Sequence, residues 1–311
     1  MGDLFSLLLG LFLLLISGEF LVRGGTSLAR NFRVSNLVIG VTVVSLGTSA
    51  PELVVSLDAA LTGHPAIAIG NVIGSNISNM ALILGLVALI LPIPVNRNSI
   101  RYDWPVMMLA GVLFFLFILN GWLQRWEGIL FFLSLIGFVS WSIIRSRKEN
   151  NHRKVKLPPA GYRVWPSFLL VAVSSVGLVF GANQLVNGAS GIALRLGVSE
   201  HAISVTVVAL GTSLPELATS LVAAIRKEMD ISVGNIIGSN IFNLFGILGL
   251  TATVKPIPVA RDVTPDVLWM LGLSVLLLLF MLPLRNGKIR RWEGLVFLVC
   301  YAIYVYLVFI R

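Results

Sequence analysis

The sequence predicts an all-α polytopic membrane protein of ten transmembrane helices, arranged as two inverted five-helix repeats. Three observations carry that prediction. Of the 311 residues, 57% are hydrophobic and 12% charged, and the apolar residues gather in blocks of about twenty, the length of helix that crosses a bilayer. Residues 205–224 repeat residues 41–60 at an offset of 164 with 15 of 20 positions identical, so one structural unit is used twice. Each half holds five apolar blocks. Because five is odd, the chain leaves each half on the opposite face, and the second half lies upside down relative to the first.

The blocks fall at residues 4–22, 35–60, 66–92, 104–121 and 127–145, then 166–187, 199–224, 230–254, 266–283 and 293–310. The first lacks a basic leader and a small-residue cleavage site and reads as a retained span. Further echoes tie the other spans to the repeat: Leu21-Val22 returns as Leu185-Val186, and Arg125-Trp126-Glu127-Gly128 as Arg291-Trp292-Glu293-Gly294. The tryptophans suit the headgroup level. The halves are residues 1–147 and 166–311, joined by a basic linker, 148–165.

Loops after the odd-numbered spans hold 18 of the 23 Lys and Arg. Cytoplasmic loops carry such an excess, which places the linker in the cytoplasm of a multi-pass protein of the cell membrane, with both termini outside. The net charge of +9 therefore reads as an orientation signal and not as a nucleic-acid surface. A single Cys300 excludes a disulfide framework.

The chemistry concentrates in Gly47-Thr48-Ser49-Ala50-Pro51-Glu52 and its copy Gly211-Thr212-Ser213-Leu214-Pro215-Glu216. Each proline removes an amide and crowds the carbonyl four residues back, so each helix breaks at its glycine. An unpaired carbonyl in hydrocarbon needs a partner, and an acid at a span centre costs roughly 2.5–3.5 kcal/mol. No Lys or Arg lies in the centre of any span, so the counter-ion for Glu52 and Glu216 comes from solution. Carbonyls, the hydroxyls of Thr48, Ser49, Thr212 and Ser213, and two carboxylates favour hard cations such as calcium or sodium. A second echo, Gly70-Asn71-Val72-Ile73-Gly74-Ser75-Asn76-Ile77-Ser78-Asn79 with Gly234 to Asn243, puts Ser75 and Asn79, and Ser239 and Asn243, on one helix face each, within reach of the acids. The same glycines also suit close helix packing. Asp58, matched by Val222, and His64, His152 and His201 read as solvated.

With these motifs in hand, the chain resembles the sodium/calcium exchangers of the cation/calcium antiporter superfamily, in the minimal, prokaryotic form without a large regulatory loop domain. The resemblance implies antiport by alternating access rather than an enzyme, with no cofactor and no obligate protein partner. It implies that Glu52 and Glu216, with the carbonyls of Thr48 and Thr212, bind calcium. Sodium would draw on Ser45, Thr48, Ser49, Glu52 and Ser75, and on Ala209, Thr212, Ser213, Glu216 and Ser239, with Asn79 and Asn243 at the middle. Several relatives carry Asp where Asn243 stands, and Asn here suggests exchange independent of potassium.

Three rival readings stay open on the residues. Proton/calcium antiport would use the same glutamates, which burial makes easier to protonate. An intramembrane hydrolase would need a nucleophile or a held metal, and no histidine lies within a span. A passive channel would favour rings of identical subunits.

Overall fold

Helices follow the apolar blocks closely. The computed structural model describes residues 2–152, 159–197, 211–282 and 287–310, and the helices among them are α1 (Gly2–Phe32), α2 (Asn36–Thr48), α3 (Ala50–Thr62), α4 (Pro65–Ile90), α5 (Ser99–Ile118), α6 (Arg125–Asn151), α7 (Val164–Arg195), α8 (Leu214–Ile225), α9 (Met229–Val254), α10 (Thr264–Met281) and α11 (Arg291–Phe309). Eight of these are long and apolar enough to cross a membrane, and α2 with α3 makes a ninth span, bent by 49°. The remaining span of the expected ten is represented by α8 alone, because residues 198–210, with Ala209 and His201, lie outside the described residues.

The bend in the second span sits at the first motif. Ser49 leaves helical geometry at φ −86°, ψ 9°, and Ser213 does so at φ −86°, ψ 0°. The same residue breaks both copies in the same way, with the proline entering the first turn of the following helix, where its missing amide costs nothing. Asp58 and His64 are exposed, as the sequence suggests.

Burial separates staves from outer helices. In α9 and α4, 94% and 72% of the apolar window is buried, against 33% in α1 and 28% in α7. So α4 and α9 form the centre. Both carry a π-helical turn that begins at matching repeat positions, Ser78–Ile83 and Phe242–Leu248, and π turns inside helices concentrate at functional sites. By contrast, α1 and α7 run 31 and 32 residues, about 46 and 48 Å at the usual helical rise. That exceeds the ~30 Å of hydrocarbon, so both are long enough to cross it at a tilt. They pack on one another, with Gly181 against Leu13 and Leu14.

The repeat is visible in how the halves hold each other. Four two-residue strands follow the chain, β1 (Ile93–Pro94), β2 (Trp122–Leu123), β3 (Ile257–Pro258) and β4 (Lys288–Ile289). β1 pairs antiparallel with β4 and β2 with β3, placing Ile93 opposite Ile289 and Leu123 opposite Ile257. Each ribbon thus takes one strand from each half. At the start of α6 the Gln124 amide donates to Glu127, and at the start of α11 the Arg290 amide donates to Glu293, both at 2.7 Å. The repeated glutamate is therefore a helix cap, a role the sequence alone did not reveal.

Glycines allow the crossings that follow these caps. A Cβ at Gly128 would stand 2.8 Å from the Gly249 carbonyl oxygen, and one at Gly294 would stand 2.7 Å from that of Gly85. The exchange Gly294→Val is therefore expected to cost about 1–3 kcal/mol through overpacking, read as a lower unfolding temperature in detergent. Gly137→Val, at an exposed position where a Cβ meets nothing within 4 Å, serves as the unaffected control.

Candidate cation site

Glu52 and Glu216 each lie in the first turn of the helix that follows a break, α3 and α8. Both are only 1% exposed, and Ser49, three residues before Glu52, touches the Glu216 carboxylate. The two mirror-placed acids therefore meet in one interior region. The helix N-termini that carry them favour negative charge, and the C-terminal end of α2, which stops at Thr48, favours positive charge. Broken spans in transporters present these two kinds of helix end to ions at mid-membrane.

The second carboxylate is partly held. Ser49 donates to Glu216 Oε1 at 2.9 Å, across the two halves, and Ser239 donates to the same oxygen at 3.5 Å. Among the described residues, Glu216 Oε2 and both side-chain oxygens of Glu52 are buried without a hydrogen-bond partner. Four ion pairs occur among the described residues, and none involves either glutamate. Buried polar atoms are ordinarily satisfied, so three bare carboxylate oxygens in one region call for a cation. Oxygen donors without thiolate or imidazole suit hard cations such as sodium or calcium.

Of the other sequence-predicted residues, Ser49 and Ser239 bond to Glu216, and the rest differ in burial and in partners. Ser45, Thr48, Ser49, Ser75, Asn79, Ser213, Ser239 and Asn243 are buried, and Thr212 is partly buried. Both polar atoms of the Asn79 side chain are unpartnered, as is the Asn243 carbonyl oxygen. The Asn243 amide is engaged elsewhere, donating to Asn76 Oδ1 at 3.0 Å. Ser45 donates to the Gly40 carbonyl at 2.7 Å and to that of Asn235 at 3.2 Å. In this state its hydroxyl proton ties α2 to α9.

The glycines beside the site let the helices approach. A Cβ on Gly40 would be 2.8 Å from the Ile231 carbonyl oxygen, and one on Gly234 would be 2.7 Å from that of Leu37. Of the repeated glycines, Gly234 and Gly238 stand at a close helix crossing, whereas a Cβ at Gly70 or Gly74 would meet nothing within 4 Å, so the packing expectation holds for the second copy and fails for the first.

Two residues that sequence reasoning left without a role prove to position the acids. Asn71 donates to the Glu52 carbonyl at 3.2 Å and to Ser56 Oγ at 2.9 Å, and Asn235 makes the equivalent bonds to Glu216 and Ser220 at 3.4 and 3.0 Å. Asn235 also accepts from Thr48 at 3.0 Å, joining the first half's motif to the second half's clamp. The signal was present, since each asparagine stands in the repeated Gly-Asn pair. Replacing Asn235 with Leu removes its three buried hydrogen bonds, to Thr48, the Glu216 carbonyl and Ser220. A loss of roughly 1–3 kcal/mol is expected, measured as lower thermal stability in detergent.

Comparison with known proteins bears on what such a site serves. The family model described as sodium/calcium exchanger protein matches residues 3–144 and 166–310. A putative antiporter, CaxA, from Alkalimonas amylolytica is 38% identical over 97% of both chains. The sodium/calcium exchanger MaX1 of Methanosarcina acetivorans is 33% identical, again over 97% of both. Among solved structures, the sodium-calcium exchanger NCX_Mj, soaked without sodium and calcium, superposes with a TM-score of 0.85 at 35% identity over 99% of each chain. With the family model covering both repeats and full-length relatives aligned end to end, the chain belongs to the sodium/calcium exchanger family.

Proposed function

We propose that the chain is a secondary antiporter that exchanges sodium for calcium by alternating access, with both ions competing for Glu52 and Glu216. The observation that carries this reading is the set of three partnerless carboxylate oxygens on two buried, mirror-placed acids. The relatives support the choice of ions, since NCX_Mj is described as an exchanger soaked with sodium, calcium or strontium.

Competition follows from charge. Calcium neutralises both carboxylates at once, whereas sodium ions must do so together, and full occupancy by one excludes the other. Two uncompensated acids are costly in a water-poor interior, so the empty site resists the passage between inward- and outward-facing states. Transport is then coupled because only loaded forms cross. Thr48, Ser49, Ser75 and Asn79 from the first half, and Thr212, Ser213, Ser239 and Asn243 from the second, supply the neutral oxygens. Ser45 and Ala209 complete the sodium positions. The long pair α1 and α7 moves across the bundle that holds the site, as inverted repeats allow. The functional units are residues 1–147 and 166–311. The basic linker, 148–165, faces the cytoplasm, and both termini face outward from the cell membrane.

Purified protein in liposomes is expected to take up calcium when a sodium gradient is imposed at fixed pH. A pH gradient without sodium should drive none; calcium flux that follows the pH gradient and ignores sodium would replace this reading with proton antiport. Glu52→Gln and Glu216→Gln each remove one unit of charge from a pocket where a close charge pair is worth on the order of 4 kcal/mol. Calcium binding is accordingly expected to weaken by a hundredfold or more, with uptake falling to the level of empty liposomes. Coupled uptake retained in both variants would refute the site.

A further inference from the structure

The two repeats are alike, but the two gates that they build are not. The repeat offset turns α1 into α7 and α3 into α8, so the contact of α1 with α8 has a counterpart in the contact of α7 with α3. On the first, Gly18 faces α8, where a Cβ would make ordinary contact at 3.4 Å from Val222 Cγ2 and 3.5 Å from the Ala218 carbonyl carbon. Ala218 and Val222 are 8% and 7% exposed. The counterparts on α3, Val54 and Asp58, are exposed, Val54 by 66%. Between α3 and α7 lies a cavity of about 270 Å³, lined by Pro51, Val54, Ala182, Asn183 and Thr212 among others. It reaches both broken-helix motifs. One gate is therefore shut and the other ajar.

Charge distinguishes the same two gates. At the shut one, on the face where the basic loops gather, Glu19 of α1 accepts from Arg23 Nε at 2.5 Å and is gripped by both Nε and Nη2 of Arg226, just past the end of α8. A bidentate guanidinium–carboxylate pair is among the stronger ionic contacts. A cation beyond a helix C-terminus is favourable as well. The equivalents of Glu19, Arg23 and Arg226 at the open gate are Asn183, Asn187 and Thr62, none of which is charged. The ion pair that α7 does make, Arg195 with Asp3 at 2.7 Å, joins it to α1 and not to α3. That pair binds the two long helices to each other.

We propose that Glu19, with Arg23 and Arg226, is an electrostatic latch on the gate at the basic face, and that the lack of a counterpart opposite makes closure at that face the resting state. The latch rests on the alternating-access reading above. It ties the long pair to α8 and must be released each time the basic face opens. The need to release it raises the barrier to opening on one side only, so two nearly symmetric halves give an asymmetric cycle.

The test uses the full chain with Cys300→Ser in oriented membrane vesicles and a membrane-impermeant maleimide. Reporters are Ala218→Cys at the shut gate and Val54→Cys at the open one. Glu19→Gln and Arg226→Gln are each expected to speed labelling of Ala218→Cys from the basic face by about two- to fivefold, the range that a partly exposed ion pair supports. Labelling of Val54→Cys should slow in step, and the double variant should match either single one. Installing Asn183→Glu with Thr62→Arg builds the same pair at the opposite gate and should also slow Val54→Cys labelling. Unchanged labelling in both neutralised variants, or in the installed pair, would overturn the latch. Wild-type calcium flux is read separately: a chain that labels as expected but shows no sodium-coupled flux keeps the latch and loses the exchange reading.

Discussion

The architecture is arranged around one constraint, the burial of two carboxylates that no basic side chain among the described residues balances. Glu52 and Glu216 are 1% exposed and retain three oxygens without partners. A folded chain ordinarily avoids such an arrangement, because stranded charge in low dielectric is expensive. Here the surrounding structure maintains it. Breaks at Ser49 and Ser213 turn helix ends toward the acids, Asn71 and Asn235 fasten their carbonyls, and the Gly40–Gly234 approach brings α2 against α9. Stability is spent to keep two acids without a protein counter-charge.

Much of this was legible in the residues. Apolar block length marked the spans, the offset of 164 marked the twofold design, and the prolines marked the bend, because each signal has a backbone cause that acts locally. Asn71 and Asn235 were visible but mute. Their importance depends on which carbonyl lies across from them, and that is decided by packing between distant segments. The π turns at Ser78–Ile83 and Phe242–Leu248 carry no composition signal at all. The glutamates at 127 and 293 looked like interfacial charges beside tryptophan, yet their carboxylates cap helices. What a sequence conceals in such a protein is less the identity of polar residues than the direction in which each faces.

Symmetry in the chain does not force symmetry in its energetics. The motifs are near copies, yet the Glu216 carboxylate receives Ser49 and Ser239 while the Glu52 carboxylate receives no bond among the described residues. Likewise Gly18 of α1 packs on Ala218 and Val222 of α8, whereas the mirror contact holds a cavity that reaches both motifs. A membrane carrier of two equal halves would have no preferred side. Small departures, Glu19 against Asn183 above all, let a duplicated fold acquire one.

The crossed ribbons have a consequence for assembly. Because β1 joins β4 and β2 joins β3, neither half can complete a ribbon from its own strands, and every short hairpin-like junction is a handshake between them. A lone five-helix unit would carry two unmatched strand edges at opposite membrane surfaces. Such a unit could satisfy them only by meeting a copy of itself inserted the other way up, which makes dual-orientation insertion the natural starting point for a gene that later became two fused copies.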